Sequence, residues 1–409
     1  MLEKNKHEDI DKLLNDITSS VPTVTKLTLK QLFEHRLSDL GLAASAAAEL
    51  IGIEWRALTG IIDGTQKRVD FITMSKMARF LNIQNSELIE IYLQALEKNY
   101  KDELVVSDKI KFILENFDLT VLKSVGFIDN VTDYEHIENQ INAYFGFKSI
   151  FEYSKANIHP AFSAGAIRPK NASTRDFWIT STRKIFEKID NPNEYDRKGM
   201  MEFFPKIRWH SMNVEKGLFE VIKSLYSFGV TVMYQPSMPT LHLRGATFSI
   251  NNKPCIVLTD YRGFYPTLWF ALIHELYHVL FDWDEIKDDK YHLSSEDLDF
   301  FTLEEKEADA NKFSREYLFS MDKLEQAKPN INNRYFIDQF AKSNHVHPSI
   351  IYIFNAFDSG KEDKKIWVKI KRQMPKIELC LNPLGNISWA ERTPISKIAN
   401  KRKSKIFNN

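Results

Sequence analysis

Cysteine is nearly absent from this chain: Cys255 and Cys380 are the only two in 409 residues. Two thiols so far apart exclude a disulfide scaffold and any cysteine-rich zinc site, and they fit a reducing compartment. Net charge is absent as well, with 55 Lys and Arg set against 55 Asp and Glu. That balance excludes a uniformly basic nucleic-acid coat and an acidic mimic. No run of 18 apolar residues occurs, so no membrane span is expected. The opening stretch MLEKNKHEDIDKLLNDITSS has no apolar core of a signal peptide. The expected location is the cytoplasm. What is present is enough apolar material, 43% of the chain, to bury a sizeable core. At about 150 residues per domain, roughly two to three domains are expected.

Read for organisation, residues 1–23 are polar and form an expected flexible arm. From 24 to 100 the pattern is helical and compact, with turn residues at Gly41, Gly52 and Gly64. Residues 101–199 read as a helical connecting region. Strand signals come only later. GVTVMYQP is a short β-branched run ended by Pro236, and ATFSI and CIVLT flank the turn NNKP as a hairpin. LWFALIHELYHVLF then reads as a buried helix, DDKYHLSSED as a loop, and Leu303–Ser320 and Tyr335–Ala356 as helices. Residues 200–330 form one expected domain. Residues 331–409 form a helical extension whose end, KIANKRKSKIFNN, reads as a solvated basic tail. The expected fold class is mostly α with a small β-sheet.

The chemistry sits at residues 274–278, which spell HExxH. On a helix His274 and His278 share one face, so both imidazoles can bind one zinc ion. Glu275 beside them can act as general base toward water. The apolar flanks bury this helix, where two histidines and a glutamate are costly without a metal or hydrogen-bond partners. A third ligand is needed, and Glu304, Glu305 and Glu307 compete for the role. At about 100° per residue, Glu307 shares a face with Ala310, Ser314 and Leu318, whereas Glu305 falls among Asp309, Lys312 and Glu316. Glu304 falls at the border. A carboxylate on the apolar face needs a metal or a partner, so periodicity selects Glu307. Asn311, one turn on, can orient a ligand from the second shell. The hairpin strand before the helix suits an extended peptide held by main-chain hydrogen bonds.

HELYHVL, preceded by CIVLTDYRG and followed by EADANKFSREYLF, resembles the ImmA/IrrE metallopeptidase domain. HVHPSII at 345–351 is similar to an element of longer, HigA-like antitoxins. The resemblance implies an α+β, gluzincin-like zincin domain that is a zinc endopeptidase, with His274, His278 and Glu307 as metal ligands and Glu275 as general base. Tyr277 stands where the family has a small residue, and Ser314 and Ser320 stand where it has Ala and Pro. Tyr261, Arg262, Tyr317 and His347 are the candidate oxyanion stabilisers.

In the amino-terminal part, Ser45 reads as an N-cap, Gly52 as the turn and EWRALTGIID as a second helix, with Ala47, Leu50, Ile53, Leu58 and Ile61 as core. This segment resembles the XRE (Cro/repressor-like) helix-turn-helix domain. The resemblance implies that Trp55, Arg56, Thr59, Gln66, Lys67 and Arg68 face DNA. From Val24 to Phe80 eight Lys and Arg meet six acids, a weak basic footprint. The functional expectation is a zinc endopeptidase fused to a DNA-binding module, regulating gene expression by cleaving a repressor or antitoxin. The alternative is a HigA-like antitoxin whose peptidase fold only binds a partner. Expected partners are that protein substrate, operator DNA, a cognate toxin and a second copy of the chain, with no membrane.

Overall fold

The computed structural model describes residues 27–154, 172–239, 241–261, 263–288, 291–295, 305–359, 366–385 and 387–407. The expected arm over 1–23, Arg262 and Glu304 lie outside them. The chain is mostly helical with one small mixed sheet, as its composition and pattern led us to expect. It divides into two compact units, Met1–Asp108 and Lys109–Asn409.

The first unit holds five helices that matter here: α1 (Leu29–Leu40), α2 (Ala44–Ile51), α3 (Trp55–Ile62), α4 (Phe71–Leu81) and α5 (Asn85–Asn99). Thr28 and Gln31 close a reciprocal capping box at the start of α1, satisfying two orphan donors. Gly52 ends α2 at a left-handed φ of 75°, which glycine adopts without a side-chain clash. Gly64 is required twice over: its φ is 69°, and a Cβ there would sit 2.6 Å from the Ala95 backbone of α5. Leu29, Phe33, Ala47, Leu58, Ile61, Met77 and Leu88 close the core. Two expectations fail in detail. α2 begins at Ala44, with Ala43 in the cap position and no side-chain cap, so Ser45 lies inside the helix. Leu50 is 68% exposed, because Ala47, Ala48 and Ile51 supply the buried face of α2.

The second unit is organised on the sheet, whose strand order is β1 (Thr231–Tyr234), β3 (Lys253–Leu258), β2 (Leu243–Ile250) and β4 (Tyr291–Ser295). β1 runs parallel to β3, and the other neighbours are antiparallel. The hairpin is present as expected. The expected loop over DDKYHLSSED is corrected at Tyr291–Ser295, where β4 pairs with β2. The sheet is covered on both faces, so its strands read as apolar runs rather than alternating ones. Val232, Tyr234, Ile256 and Leu258 enter one core, and Met233, Ala246, Phe248 and Val257 the other.

The helices that position the site and close the second face are α6 (Tyr134–Phe145), α7 (Ala172–Ile189), α8 (Tyr265–Phe281), α9 (Glu305–Phe319), α10 (Pro348–Ser359) and α11 (Ile395–Arg402). α8 lies against β2 and β3 on the first face and packs on α9 and α10. α7 lies on the second face and holds α11. The helix expected over Tyr335–Ala356 is two helices, Arg334–Ser343 and α10, since Pro348 cannot continue the earlier one. The solvated tail is also corrected. Ile395, Ile398, Ala399 and Ile406 are buried, and the buried Arg402 guanidinium donates to the Tyr234 carbonyl of β1. Counting charge hid an apolar face at helical spacing.

Candidate metal centre

α8 starts with Pro266 in its first turn, where the missing N–H costs nothing. Its apolar surface is buried nearly all round, which fixes the helix between the sheet and α9. His274 and His278 therefore point from α8 toward α9, one turn apart, with Nε2 atoms 3.2 Å from each other. α9 answers with Glu307, whose oxygens lie 3.4 Å from His274 Nε2 and 3.1 Å from His278 Nε2. Ala310, Ser314 and Leu318 are buried on the same face of α9, while Asp309, Lys312 and Glu316 are exposed. The helical phase that selects Glu307 is the phase the chain adopts.

A fourth residue joins them. His292 of β4 brings Nε2 to 2.5 Å from Glu307 Oε1, and its ring centroid lies 4.2 Å from that of His278. One ligand atom from each of His274, His278, His292 and Glu307 falls within 4.8 Å of all the others, and all four residues are buried. This donor set could hold a metal ion. Sequence reasoning passed over His292, because only the register of β4 on β2 brings it here.

Electrostatics point the same way. Burial opposes ionisation of Glu307, but the His274 ring beside it and hydrogen bonds from His274, His278 and His292 hold its pKa well below the usual carboxylate range. Burial lowers the pKa of His274. Burial also disfavours charged His278, yet hydrogen bonds to Asp282 and Glu307 outweigh it and push that pKa up to about 9. A buried anion with imidazole nitrogens turned on it needs a positive charge beside it, which the proton held by His278 supplies and a metal ion could replace. Asp282 Oδ2 accepts from His278 Nδ1 at 2.8 Å, which leaves Nε2 as the nitrogen turned to the cluster, where a metal ion would replace its proton. Asp282 was missed from sequence, though it stands four residues after His278 on the helical repeat that also pairs the two histidines.

Glu275 is 0% exposed and faces the sheet rather than the cluster's far side. Its Oε2 accepts from the Thr247 hydroxyl of β2 at 2.7 Å, and its Oε1 has no hydrogen-bond partner among the described residues. Room for it exists because residue 245 is glycine: a Cβ there would stand 2.8 Å from Oε1 and 3.0 Å from Cγ. An orphaned buried carboxylate oxygen costs about 1–3 kcal/mol or more, so a group that bonds it belongs here.

The other expected residues are placed as follows. Asn311 is half-buried on α9, and its Oδ1 bonds nothing among the described residues. Tyr277 packs against Phe281 and Phe313. The Tyr317 hydroxyl donates to the Phe204 carbonyl, His347 bonds Ser349, and Tyr261 stacks on His242. In the first unit Trp55, Arg56 and Arg68 are exposed. The Thr59 hydroxyl donates to the Trp55 carbonyl, and the Gln66 amide donates to the Arg68 carbonyl. Lys67 pairs with Glu103 at 2.5 Å and lies over the Tyr100 ring, which neutralises part of the basic footprint. Among the described residues no helix is long and apolar enough to cross a membrane.

Comparison with family models, with curated proteins and with solved structures finds no match to this chain.

Proposed function

We propose that this chain is a zinc-dependent endopeptidase of the ImmA/IrrE type, joined to a DNA-binding helix-turn-helix module, which cleaves a repressor or antitoxin protein. The observation that carries the reading is the buried triangle of His274, His278 and Glu307 with Glu275 on the same helix. The two Nε2 atoms stand 3.2 Å apart, against an edge of about 3.3–3.4 Å for a tetrahedron with zinc–nitrogen bonds of about 2.0–2.1 Å, and Glu307 meets them through its two different oxygens, at 3.4 Å from His274 and 3.1 Å from His278. Imidazole nitrogens with one carboxylate and no thiolate suit zinc, as they also suit iron, nickel and copper, and the HExxH spacing favours zinc among these. Zinc held there would bring the pKa of water to about 7 and polarise a peptide carbonyl.

The chain's own groups supply the rest. Thr247 anchors one oxygen of Glu275 and leaves Oε1 to take a proton from the attacking water and deliver it to the leaving amine. Asp282 fixes the tautomer of His278. Strand pairing with the sheet beside α8 would hold an extended peptide near the site. In the first unit the α2–Gly52–α3 spacing, with Trp55 and Arg56 exposed at the start of α3, supports the helix-turn-helix reading.

The test is elemental analysis of full-length protein purified without chelator, together with cleavage of a co-expressed neighbouring repressor. About one zinc per chain is expected. A folded chain with no metal, or cleavage that Glu275→Gln performs as fast as a cleaving chain with Glu275 intact, rejects the reading. A second reading is favoured by His292. Four protein ligands are the count of a structural zinc site, which would suit the reading of this chain as a HigA-like regulator whose peptidase fold only binds a partner.

A further inference from the structure

β4 performs the two tasks that a bound peptide would have to perform. The first is strand pairing. In the order β1-β3-β2-β4, the edge of β2 that β3 leaves free is taken by β4, running antiparallel. The second is reaching the metal ligands. Thr247 of β2 and His292 of β4 are register partners, and directly opposed residues project on one face. On that face Thr247 holds Glu275 while His292 meets Glu307 and His278. His292 is 1% exposed, so it is committed to the cluster rather than to solvent. A peptide added to the outer edge of β4 would lie a full strand spacing, about 4.8 Å, further from Glu275.

We propose that His292 is a fourth metal ligand and that β4 is an internal pseudo-substrate, which fills at once the coordination position and the strand edge that cleavage needs. A catalytic zinc site keeps one position open, and four protein ligands close it. The chain as described is then the latent form. Cleavage requires β4 to leave β2, and whatever displaces β4 activates the enzyme. This rests on the metal reading above and adds to it the state of the site.

Cobalt(II) in the zinc position reports coordination by visible absorption without any need for catalysis. Full-length wild type, His292→Ala and His292→Gln are loaded with cobalt and titrated with acetohydroxamate, a small bidentate ligand that needs an open position. The wild-type spectrum is expected to stay unchanged at concentrations that saturate both variants, with apparent affinities differing at least a hundredfold. Peptide cleavage should rise in the variants. Gln decides between two roles, since its amide can still bond Glu307 but is a poor metal ligand. If His292→Gln behaves as wild type, His292 serves Glu307 by hydrogen bonding and the proposal falls. A wild-type spectrum that shifts at the same acetohydroxamate concentrations as the variants also overturns closure and leaves the metal site standing; this needs only the wild type should the variants fail to fold. A wild-type chain that takes up neither cobalt nor zinc overturns the metal reading itself.

Discussion

Replacing Asp282 with Asn should weaken metal binding ten- to a hundredfold, although Asp282 touches no metal. Asp282 Oδ2 accepts a hydrogen bond from His278 Nδ1 at 2.8 Å in a buried setting. A hydrogen bond to a charged group there contributes about 1.5–3 kcal/mol. Loss of an outer partner of this kind lowers metal affinity about 10–100-fold, equivalent to about 1.4–2.8 kcal/mol, so the two figures agree. An Asn can also turn its NH2 to Nδ1, which favours the tautomer with the proton on Nε2 and sets it against the metal. The assay is competition with a chromophoric chelator at fixed pH and salt. Asp284 is the control. It carries the same charge two residues away but is 92% exposed and paired with Lys287. Asp284→Asn should leave affinity unchanged within about twofold, since an exposed charge is screened by water and salt. Equal losses from both variants would mean that general field, not the hydrogen bond, tunes the site. No loss from Asp282→Asn would refute the outer-partner role.

Four further outcomes follow from the geometry. In a chain carrying His292→Ala, adding Glu275→Gln should keep zinc, measured by elemental analysis, while peptide cleavage falls to background. In the same background Gly245→Ala should keep zinc yet slow cleavage about tenfold to a hundredfold, because a Cβ displaces Glu275 and small misplacements of a catalytic group are costly; full activity would show that the space is unneeded. Arg402→Met, which keeps the buried stem but strands the Tyr234 carbonyl, should cost about 1–3 kcal/mol. A thermal melt reads this as a lower Tm, and a higher Tm would mean that the buried charge was a net burden. Full-length Arg56→Ala with Lys67→Ala should lose duplex DNA binding that in wild type weakens as salt rises, and unchanged binding in a gel-shift titration would remove α3 from the interface.

Much of the site was legible because helices encode it locally. HExxH declares two ligands and a base through spacing alone, and the buried phase of α9 singles out Glu307 from its neighbouring acids. His292 was not legible. Its role depends on which residue of β2 it faces, and strand register is set by tertiary pairing rather than by the five polar and apolar residues of β4. Gly245 was silent for the same reason, since the sequence does not say that Glu275 lies above it. In the fold, the hairpin and the helix-rich order could be read from pattern. The end of the chain was misread because thirteen Lys and Arg against four acids over 361–409 drew attention to charge. The deciding signal was the spacing of Ile395, Ile398 and Ile406, with a long side chain whose charged head finds a carbonyl inside.

That buried terminal segment has a consequence for the order in which the protein comes into being. The strand that carries the Tyr234 carbonyl is made early, whereas its partner Arg402 and the helix α11 that lies on α7 are made long after β3 and the metal ligands. Units of a chain fold as they emerge, amino-terminal ones first. The first unit, with a core of its own, has all its residues long before α11 can close over α7. During synthesis, the metal ligands therefore leave the ribosome after α7 but before the α11 layer that packs on it. A chain released early would carry every ligand of the cluster and still lack α11 and the Arg402 hydrogen bond to β1.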